Sequence, residues 1–393
     1  MKRLLVLGGA EFQIPLIKRA KKMGYYVGIV DINKQSPASK YADINYEASL
    51  KNKEEVLEIA KQFQPDGITV GMVDVAVPTC AYVTNRLNLP GIDEITARKA
   101  TDKYEMIKAF EKDNVPHPWF IYVSKEEVKT KEIKLQFPVI VKPVDMAGSR
   151  GIYLVHSKDE LTQAISKSSE ASDRGDIIVE EYMDGPEVSV ELVVKNGMPH
   201  VIQITDKTTS GAPHFAETGH LQPSQLPKDV LDEIKDVACR AAISLNLKNS
   251  LGHAEIKVTS KGPKMVEIGA RAGGDGIAEQ LIELSTGVSF SEIAIQIAMG
   301  DEIVIPNTRK NKSSCIRFIL SHKGILKSID GVEQAENIRN IEEIKMYGII
   351  GQEYQDMTDN SGRIGYVIAC AESAKLAQNA CDAAIEQIKV IYD

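Results

Sequence analysis

The sequence predicts an α/β chain whose first unit is a parallel, doubly wound sheet and whose later units mix helices with longer, more β-rich segments. Three observations support this. Apolar strand and helix patterns alternate over roughly residues 1–95. Long β-branched strands punctuated by tight-turn signals follow Gly185. From Ile303 onward, strands with glycine-containing turns precede a closing helix.

The elements follow in order. Leu4–Leu7 reads as a buried strand, Gly8-Gly9 as a turn, Ile14–Met23 as a helix and Tyr26–Val30 as a second strand ending at Asp31. The helix Glu54–Gln62 and the strand Gly67–Val70 continue this βαβ pattern, and Leu89-Pro90-Gly91 closes the unit near residue 95. Asp102 with Glu105 matches a capping box, opening a helix that turns Tyr104, Ile107 and Phe110 inward until Val115-Pro116-His117-Pro118 ends it. Residues 139–179 form a small β-rich unit: a strand, a glycine loop, a helix from Lys158 to Ser168 and a second strand. Asn196-Gly197 marks a tight hairpin between Val190–Val194 and Val201–Ile204. Helices are expected over Lys228–Leu245 and Gly276–Met299, and a last one over Ala374–Ile388. The resulting division is 1–95, 96–300 with a mobile lid at about 120–185, and 301–393.

At 393 residues the chain exceeds one ordinary core. A net charge of −8 argues against nucleic acid or an anionic membrane surface as the main partner. An anionic ligand must therefore be held by local lysine, arginine and amide clusters. The five cysteines, Cys80, Cys239, Cys315, Cys370 and Cys381, are widely spaced and odd in number, which fits reduced thiols and a cytoplasmic location. No apolar run approaches membrane-spanning length.

The most informative stretch runs from His253 to Val258, turns at Gly262-Pro263, and continues from Met265 to Gly274. If Val258 pairs with Lys264, an antiparallel register sets Glu255 opposite Glu267 on one face. Facing carboxylates repel, and a cation between them would relieve this. Oxygen-only donors favour Mg²⁺ or Mn²⁺. Arg271 and Gly273-Gly274 follow, offering a fork for phosphate oxygens and exposed backbone amides. A surface hairpin with solvated acids is the competing reading, and the hairpin alone does not choose between them.

Other motifs bear on that choice. Lys142 ends a buried strand, and Ala147-Gly148-Ser149-Arg150-Gly151 follows without the Gly-Lys-Ser or Gly-Lys-Thr of a Walker loop. Amides and an ammonium there suit triphosphate; a plain turn with a lysine reaching for solvent is the alternative. Lys103 sits in a first helical turn, where the dipole disfavours cations unless an anion is near. Val179-Glu180-Glu181-Tyr182, then Gly185-Pro186-Glu187, form a hinge whose backbone could read an adenine edge and whose carboxylate could accept ribose hydroxyls. His214, Glu217 and His220 cluster in sequence; extended spacing divides them between faces, which favours a polar substrate pocket over a transition-metal site. Gly8-Gly9 with Asp31 hints at a dinucleotide fingerprint, but the glycine spacing is wrong.

Taken in order, Asp102-Lys103, Lys142 with its glycine loop, Glu180-Glu181-Tyr182 with Glu187, and then Glu255, Glu267 and Arg271 resemble the ATP-grasp ligase superfamily over residues 100–300. The resemblance implies an ATP-grasp fold behind a Rossmann-like first domain and ahead of a C-terminal β-rich subdomain. It implies that Lys103 and Lys142 contact ATP phosphates and that Gly148, Ser149 and Gly151 close over them. Glu180, Glu181 and Tyr182 would hold adenine, and Glu187 the ribose. Glu255 and Glu267 would hold Mg²⁺ (or Mn²⁺), with Arg271 steadying the transferred phosphoryl group. Glu217-x-x-His220 with Arg271-x-Gly273 is similar to the bacterial L-amino-acid ligases, where Glu217, His220, Arg271, Gly273 and Gly274 would line the amino-acid pocket. Gly269 stands where many relatives carry a metal-binding Asn, and Asp275 occupies a position that shapes the acceptor pocket. The implied reaction joins a small-molecule carboxylate and amine through an acyl phosphate, releasing ADP and phosphate; a homodimer is compatible with it. An ATP-dependent carboxylase or carbamoyl-phosphate-synthase-like enzyme is the nearest alternative, and a nicotinamide-dependent dehydrogenase or a non-catalytic nucleotide-binding regulator lies further off.

Overall fold

The computed structural model describes residues 1–128, 135–148, 150–211, 216–307 and 309–393. The chain opens on a parallel sheet in the order Ile44–Glu47, Tyr26–Asp31, Arg3–Leu7, Gly67–Thr69. Leu4 to Leu7 are fully buried, as parallel strands covered on both faces require. The Gly8-Gly9 turn is held from within: Asp31 accepts the Gly9 amide at 2.8 Å and the Asn33 amide at 2.8 Å. A side chain at Gly9 would meet Ser36 Oγ at 2.1 Å. Asp31, part of the hinted dinucleotide fingerprint, thus fastens the loop. Two helices, Val77–Leu87 and Glu94–Lys99, were not foreseen. The first turns the small polar side chains Thr79 and Thr84 inward, which blurs its apolar period.

An eight-stranded antiparallel sheet organises the rest, in the order Gly262–Gly269, Ser250–Thr259, Glu187–Lys195, Met198–Thr209, Glu217–Gln222, Ser313–Leu320, Arg363–Ala371, Ile341–Met346. The expected hairpin is present: Lys195 pairs with Met198, and Asn196 and Gly197 both adopt positive φ, as a two-residue primed turn demands. Period-two alternation then sorts the strands' side chains. Val188, Val190, Leu192, Ala254 and Ile256 pack against the helix Lys228–Ser244, through Ile234, Val237 and Ala241. Glu187, Glu191, His253 and Glu255 occupy the opposite face. Ser313–Leu320, Arg363–Ala371 and Ile341–Met346 extend this same sheet under the helix Ala374–Gln387, and Glu353–Tyr354, Gly324–Asp330 and Lys389–Tyr392 form a separate three-stranded sheet.

Residues Phe120–Val123, Ile177–Glu181, Val139–Pro143 and Tyr153–Val155 form a separate four-stranded sheet with the helix Lys158–Ala171. Its core is its own, built from Val123, Val141, Leu161, Ile165 and Val179. The single helix expected over Gly276–Met299 is broken. A π-turn at Ile277–Leu281 leads into Ile282–Thr286, and the chain bends by 117° before Phe290–Met299. Gly287 at φ 77° ends the first piece and Ser289 caps the second, so the stop and start signals override the continuous apolar run. Among the described residues no single helix is long and apolar enough to cross a membrane. This bent pair passes by length and composition, but Ile282, Phe290, Ile293 and Ile295 lie in the core.

Glu279, inside the π-turn, is buried, accepts from Ser291, and has its carboxyl pushed up to about 7 by that burial. Between pH 4.5 and about 7 the folded protein therefore keeps a proton that the unfolded chain has lost. Stability falls as pH rises through that window and stays lower above it. Glu279→Gln should remove the fall, worth on the order of 3 kcal/mol at most. Thermal unfolding across this range checks it: the variant should match the parent near pH 4.5 and exceed it above neutrality.

Candidate active site

The polar face of the large sheet gathers the ionisable groups. The turn pairs Val258 with Pro263, not with Lys264, one residue out of the expected register. A bulge at Val266 absorbs the difference, so Glu255 and Glu267 still stand opposite each other. A second bulge corrects another expectation. Thr218 is the extra residue between Gly219, paired with Thr208, and Glu217, paired with Thr209. Glu217 and His220 are thereby brought to the same face, with His220 Nε2 3.3 Å from Glu217 Oε2. His214 and Ser149 lie outside the described residues.

Every acid in this region meets a cation. Lys103 Nζ lies 3.0 Å from Glu267 Oε2 and donates to the Met146 carbonyl at 2.8 Å. The anion expected to offset a lysine in that first helical turn is therefore supplied by the protein. Asp102 caps the same helix by accepting from the Tyr104 and Glu105 amides. Lys142 Nζ and Glu180 Oε2 form a buried pair at 2.6 Å. Lys207, absent from the sequence-based set, contacts Glu187 at 2.7 Å, Glu217 at 2.8 Å and Glu255 at 3.1 Å. His253 bonds Glu191 through Nδ1, and its Nε2 lies 3.4 Å from Glu255. Arg271 Nε meets Asp74 of the first unit at 3.0 Å.

Burial alone would discharge these groups, and the partners reverse it. Lys103 is held above the ordinary lysine value by Glu267, and Lys207 well above it by Glu187, Glu217 and Glu255. Glu255 is held below the carboxylate range by Lys207 and His253, and Glu267 by Lys103 despite Glu255 opposite. Against its burial, His253 is pushed up to about 9 by Glu191. Glu255 and Glu267 present only oxygens to the space between them, a donor set that suits Mg²⁺ or Mn²⁺.

Both glycines of the loop that are described adopt positive φ. Gly148 has φ 70° and open space where a side chain would stand; Gly151 has φ 73°, and a Cβ there would lie 2.8 Å from Ala171 and Pro143. At the hinge, Glu181 is committed to Lys264 at 2.7 Å, and its amide donates to the Trp119 carbonyl at 3.0 Å. Glu187 is also 3.5 Å from Lys257, and Tyr182 is half-buried. Gly273 differs from expectation: its amide donates to Glu191 at 3.0 Å, so it is already used inside the protein. A side chain at Gly273 would sit 2.5 Å from that carboxylate, which explains the glycine. Gly274 has open space around it.

Glu217, His220 and Asp275 place one ligand atom each within 4.8 Å of one another. Arg363, from the C-terminal strands, already supplies the cation there. Its Nη1 is 2.8 Å from Asp275, its Nη2 is 3.6 Å from Glu217 Oε2, and its guanidinium lies 3.7 Å over the Phe318 ring. Asp275 holds φ 55°, an uncommon conformation for a residue with a side chain, in contact with this arginine.

Residues 135–279 match the sequence profile of the ATP-grasp domain, and 317–393 that of the L-amino acid ligase C-terminal domain 2. The chain carries an ATP-grasp domain and an L-amino acid ligase C-terminal domain. An L-amino acid ligase from Bacillus licheniformis superposes with a TM-score of 0.88 at 22% identity, covering 100% of this chain and 99% of that one. A phosphoribosylglycinamide synthetase from Anaerococcus prevotii superposes with a TM-score of 0.81 at 25% identity, covering 100% of both chains. A formate-dependent phosphoribosylglycinamide formyltransferase from Prochlorococcus marinus (strain NATL1A) is 25% identical over 407 residues, covering 100% of this chain and 99% of its own length. Lys142, Lys207, Glu255, Glu267 and Arg271 lie within the ATP-grasp match, whereas Arg363 and Phe318 come from the ligase C-terminal match. Asp74 and Lys103 precede both.

The lysine partners reverse one stability argument. Facing acids alone would make Glu267→Gln neutral or stabilising, but the change also leaves Lys103 buried with a weaker, uncharged acceptor. Differential scanning calorimetry of the ligand-free variant should show a Tm lower by a few degrees, about 1–2 kcal/mol. An unchanged or higher Tm would mean that the Lys103–Glu267 pair carries no net stabilisation.

Proposed function

We propose that this chain condenses a carboxylate with an amine at the expense of ATP, forming an amide or peptide bond, with an amino acid as one substrate. The observation that carries this reading is the meeting of two differently built halves on one sheet face. One half, around Lys103, Lys142, Glu255 and Glu267, suits a magnesium nucleotide. The other, around Glu217, His220, Asp275 and Arg363, offers both signs of charge and suits a polar amino-acid substrate. Lys207 touches both, and Arg271 lies within the field of Glu255 and Glu267. The ligase C-terminal match and the L-amino acid ligase neighbour support an amino-acid substrate.

In this reading Lys103 and Lys142 receive the nucleotide phosphates, and the loop from Gly148 to Gly151 excludes water from them. Lys142 would exchange its present Glu180 partner for phosphate, freeing that carboxylate toward adenine beside the backbone of Tyr182. Glu187 takes the ribose. Glu255 and Glu267 would hold Mg²⁺, whose chemistry there is to neutralise phosphate charge. The acid's carboxylate oxygen attacks the terminal phosphorus and ADP leaves. Arg271, kept in place by Asp74, stabilises the transferred group's charge. The amine, received at Glu217 and His220, gives up its ammonium proton to solvent; its nitrogen then attacks the acyl carbon, and the second proton it loses leaves on the expelled phosphate.

The test is a screen of amino acids and small acids for phosphate release, with product masses read out. ADP, phosphate and a product equal to acid plus amine less one water should appear in equal amounts. AMP with pyrophosphate, or phosphate release indifferent to any amine, would contradict the proposal. With a substrate pair in hand, Glu217→Gln should raise the amine KM about tenfold or more while leaving the affinity for ADP within about twofold, since a charge-assisted hydrogen bond is worth about 1.5–3 kcal/mol. Parallel titrations of amine and ADP separate those effects.

A further inference from the structure

The ammonium of Lys207 has three donors, and each faces a carboxylate of a different strand: Glu187, Glu217 and Glu255 at 2.7, 2.8 and 3.1 Å. The lysine side chain is only 3% exposed. No solvated counter-ion is needed for these acids, because the protein supplies its own. The arrangement has a consequence for the facing pair. Glu255 and Glu267 would form a strong divalent-cation site if left bare, but Glu255 is occupied by Lys207 and Glu267 by Lys103. Any divalent ion arriving between them meets two ammonium groups within one side chain's reach. Each ammonium repels a double positive charge at short range in a poorly solvated place.

We propose that Lys207 is a resident counter-cation that makes metal loading depend on nucleotide: it keeps divalent ions off Glu255 in the free protein, so the ion enters only with the negative charge of ATP or ADP. Lys207 rather than Lys103 has this role because of its setting. Lys103 has a backbone carbonyl as second acceptor and one ion pair, to Glu267, whereas Lys207 is caged by three acids and cannot retreat to solvent. When nucleotide phosphates bring the ion, Lys207 still has Glu187 and Glu217 to satisfy it, so yielding Glu255 leaves no buried ammonium unpaired. The same contacts tie the lysine to the amine half of the site. Lys207 is a positioning residue, and the inference rests on the proposed magnesium site at Glu255 and Glu267.

The experiment measures Mn²⁺ binding by electron paramagnetic resonance, in nucleotide-free protein and with ADP. The comparison is Lys207→Met combined with Glu187→Gln, against Glu187→Gln alone; the second change removes one acid and so lessens the charge left buried. The double variant should bind Mn²⁺ without nucleotide at least tenfold more tightly than Glu187→Gln, and added Mg²⁺ should raise its Tm. With ADP present the difference should shrink to a few-fold, and Lys207→Arg, which keeps the charge, should behave as the parent. Equal nucleotide-free affinities would overturn the proposal. So would a double variant that stays unfolded even with Mg²⁺, since the metal could not then stand in for the lysine. If the parent with ADP binds no Mn²⁺ at all, the magnesium site itself is wrong; if the parent does bind it and only the lysine comparison fails, the site stands and this inference alone falls.

Discussion

Charge neutralisation on a buried sheet face is the constraint from which the architecture follows. Antiparallel strands with period-two alternation give one face to the helix Lys228–Ser244 and leave the other rich in acids. Carboxylates cannot be buried as anions without partners. Here the partners come from different parts of the chain: Lys103 from a helix start, Lys207 from within the large sheet and Arg363 from its C-terminal extension, while Lys142 neutralises Glu180 inside the small four-stranded sheet. In the reverse direction, Asp74 of the first unit meets Arg271. The units are thus fastened to one another by the same ion pairs that build the site.

That arrangement also explains why the site is poised for ligands. Lys142–Glu180, Lys103–Glu267 and Lys207–Glu255 each pair a group suited to phosphate with one suited to a base, a sugar or a metal. A magnesium nucleotide carries both signs of charge, so it can enter by partner exchange and leave no charge exposed to an apolar surrounding. A free divalent cation, which carries one sign of charge only, has no such route. The small four-stranded sheet has its own core and carries Lys142 on the strand that leads to Gly148.

Much of this was legible in the chain, and the misses have physical causes. Glu255 faces Glu267 because the bulge at Val266 offsets a one-residue error in the expected turn register, whereas the parallel opening and the Asn196-Gly197 hairpin could be read because turn chemistry and β-alternation are local. The bulges could not. Val266 shifts one register and Thr218 another, and neither residue is a glycine that would flag it. Lys207 was hidden in the same way: counting back from Asn196-Gly197 sets Asp206 opposite Glu187, and a bulge at Ile202 brings Lys207 to it instead. Arg363 and Asp74 are singletons whose partners lie far away in sequence, so no spacing announces them. Gly273 was legible as a required glycine, but its reason, close approach to Glu191, needed the fold.

The central claim is that the face carrying Glu255, Glu267 and Arg271 activates a carboxylate by phosphorylation before an amine attacks. The most direct measurement uses an acid substrate with heavy oxygen in its carboxylate and follows that label by mass spectrometry during turnover. The account predicts that each released phosphate carries one heavy oxygen from the acid and that the amide product keeps the other. Phosphate free of the label, with product formed at the normal rate, would contradict it.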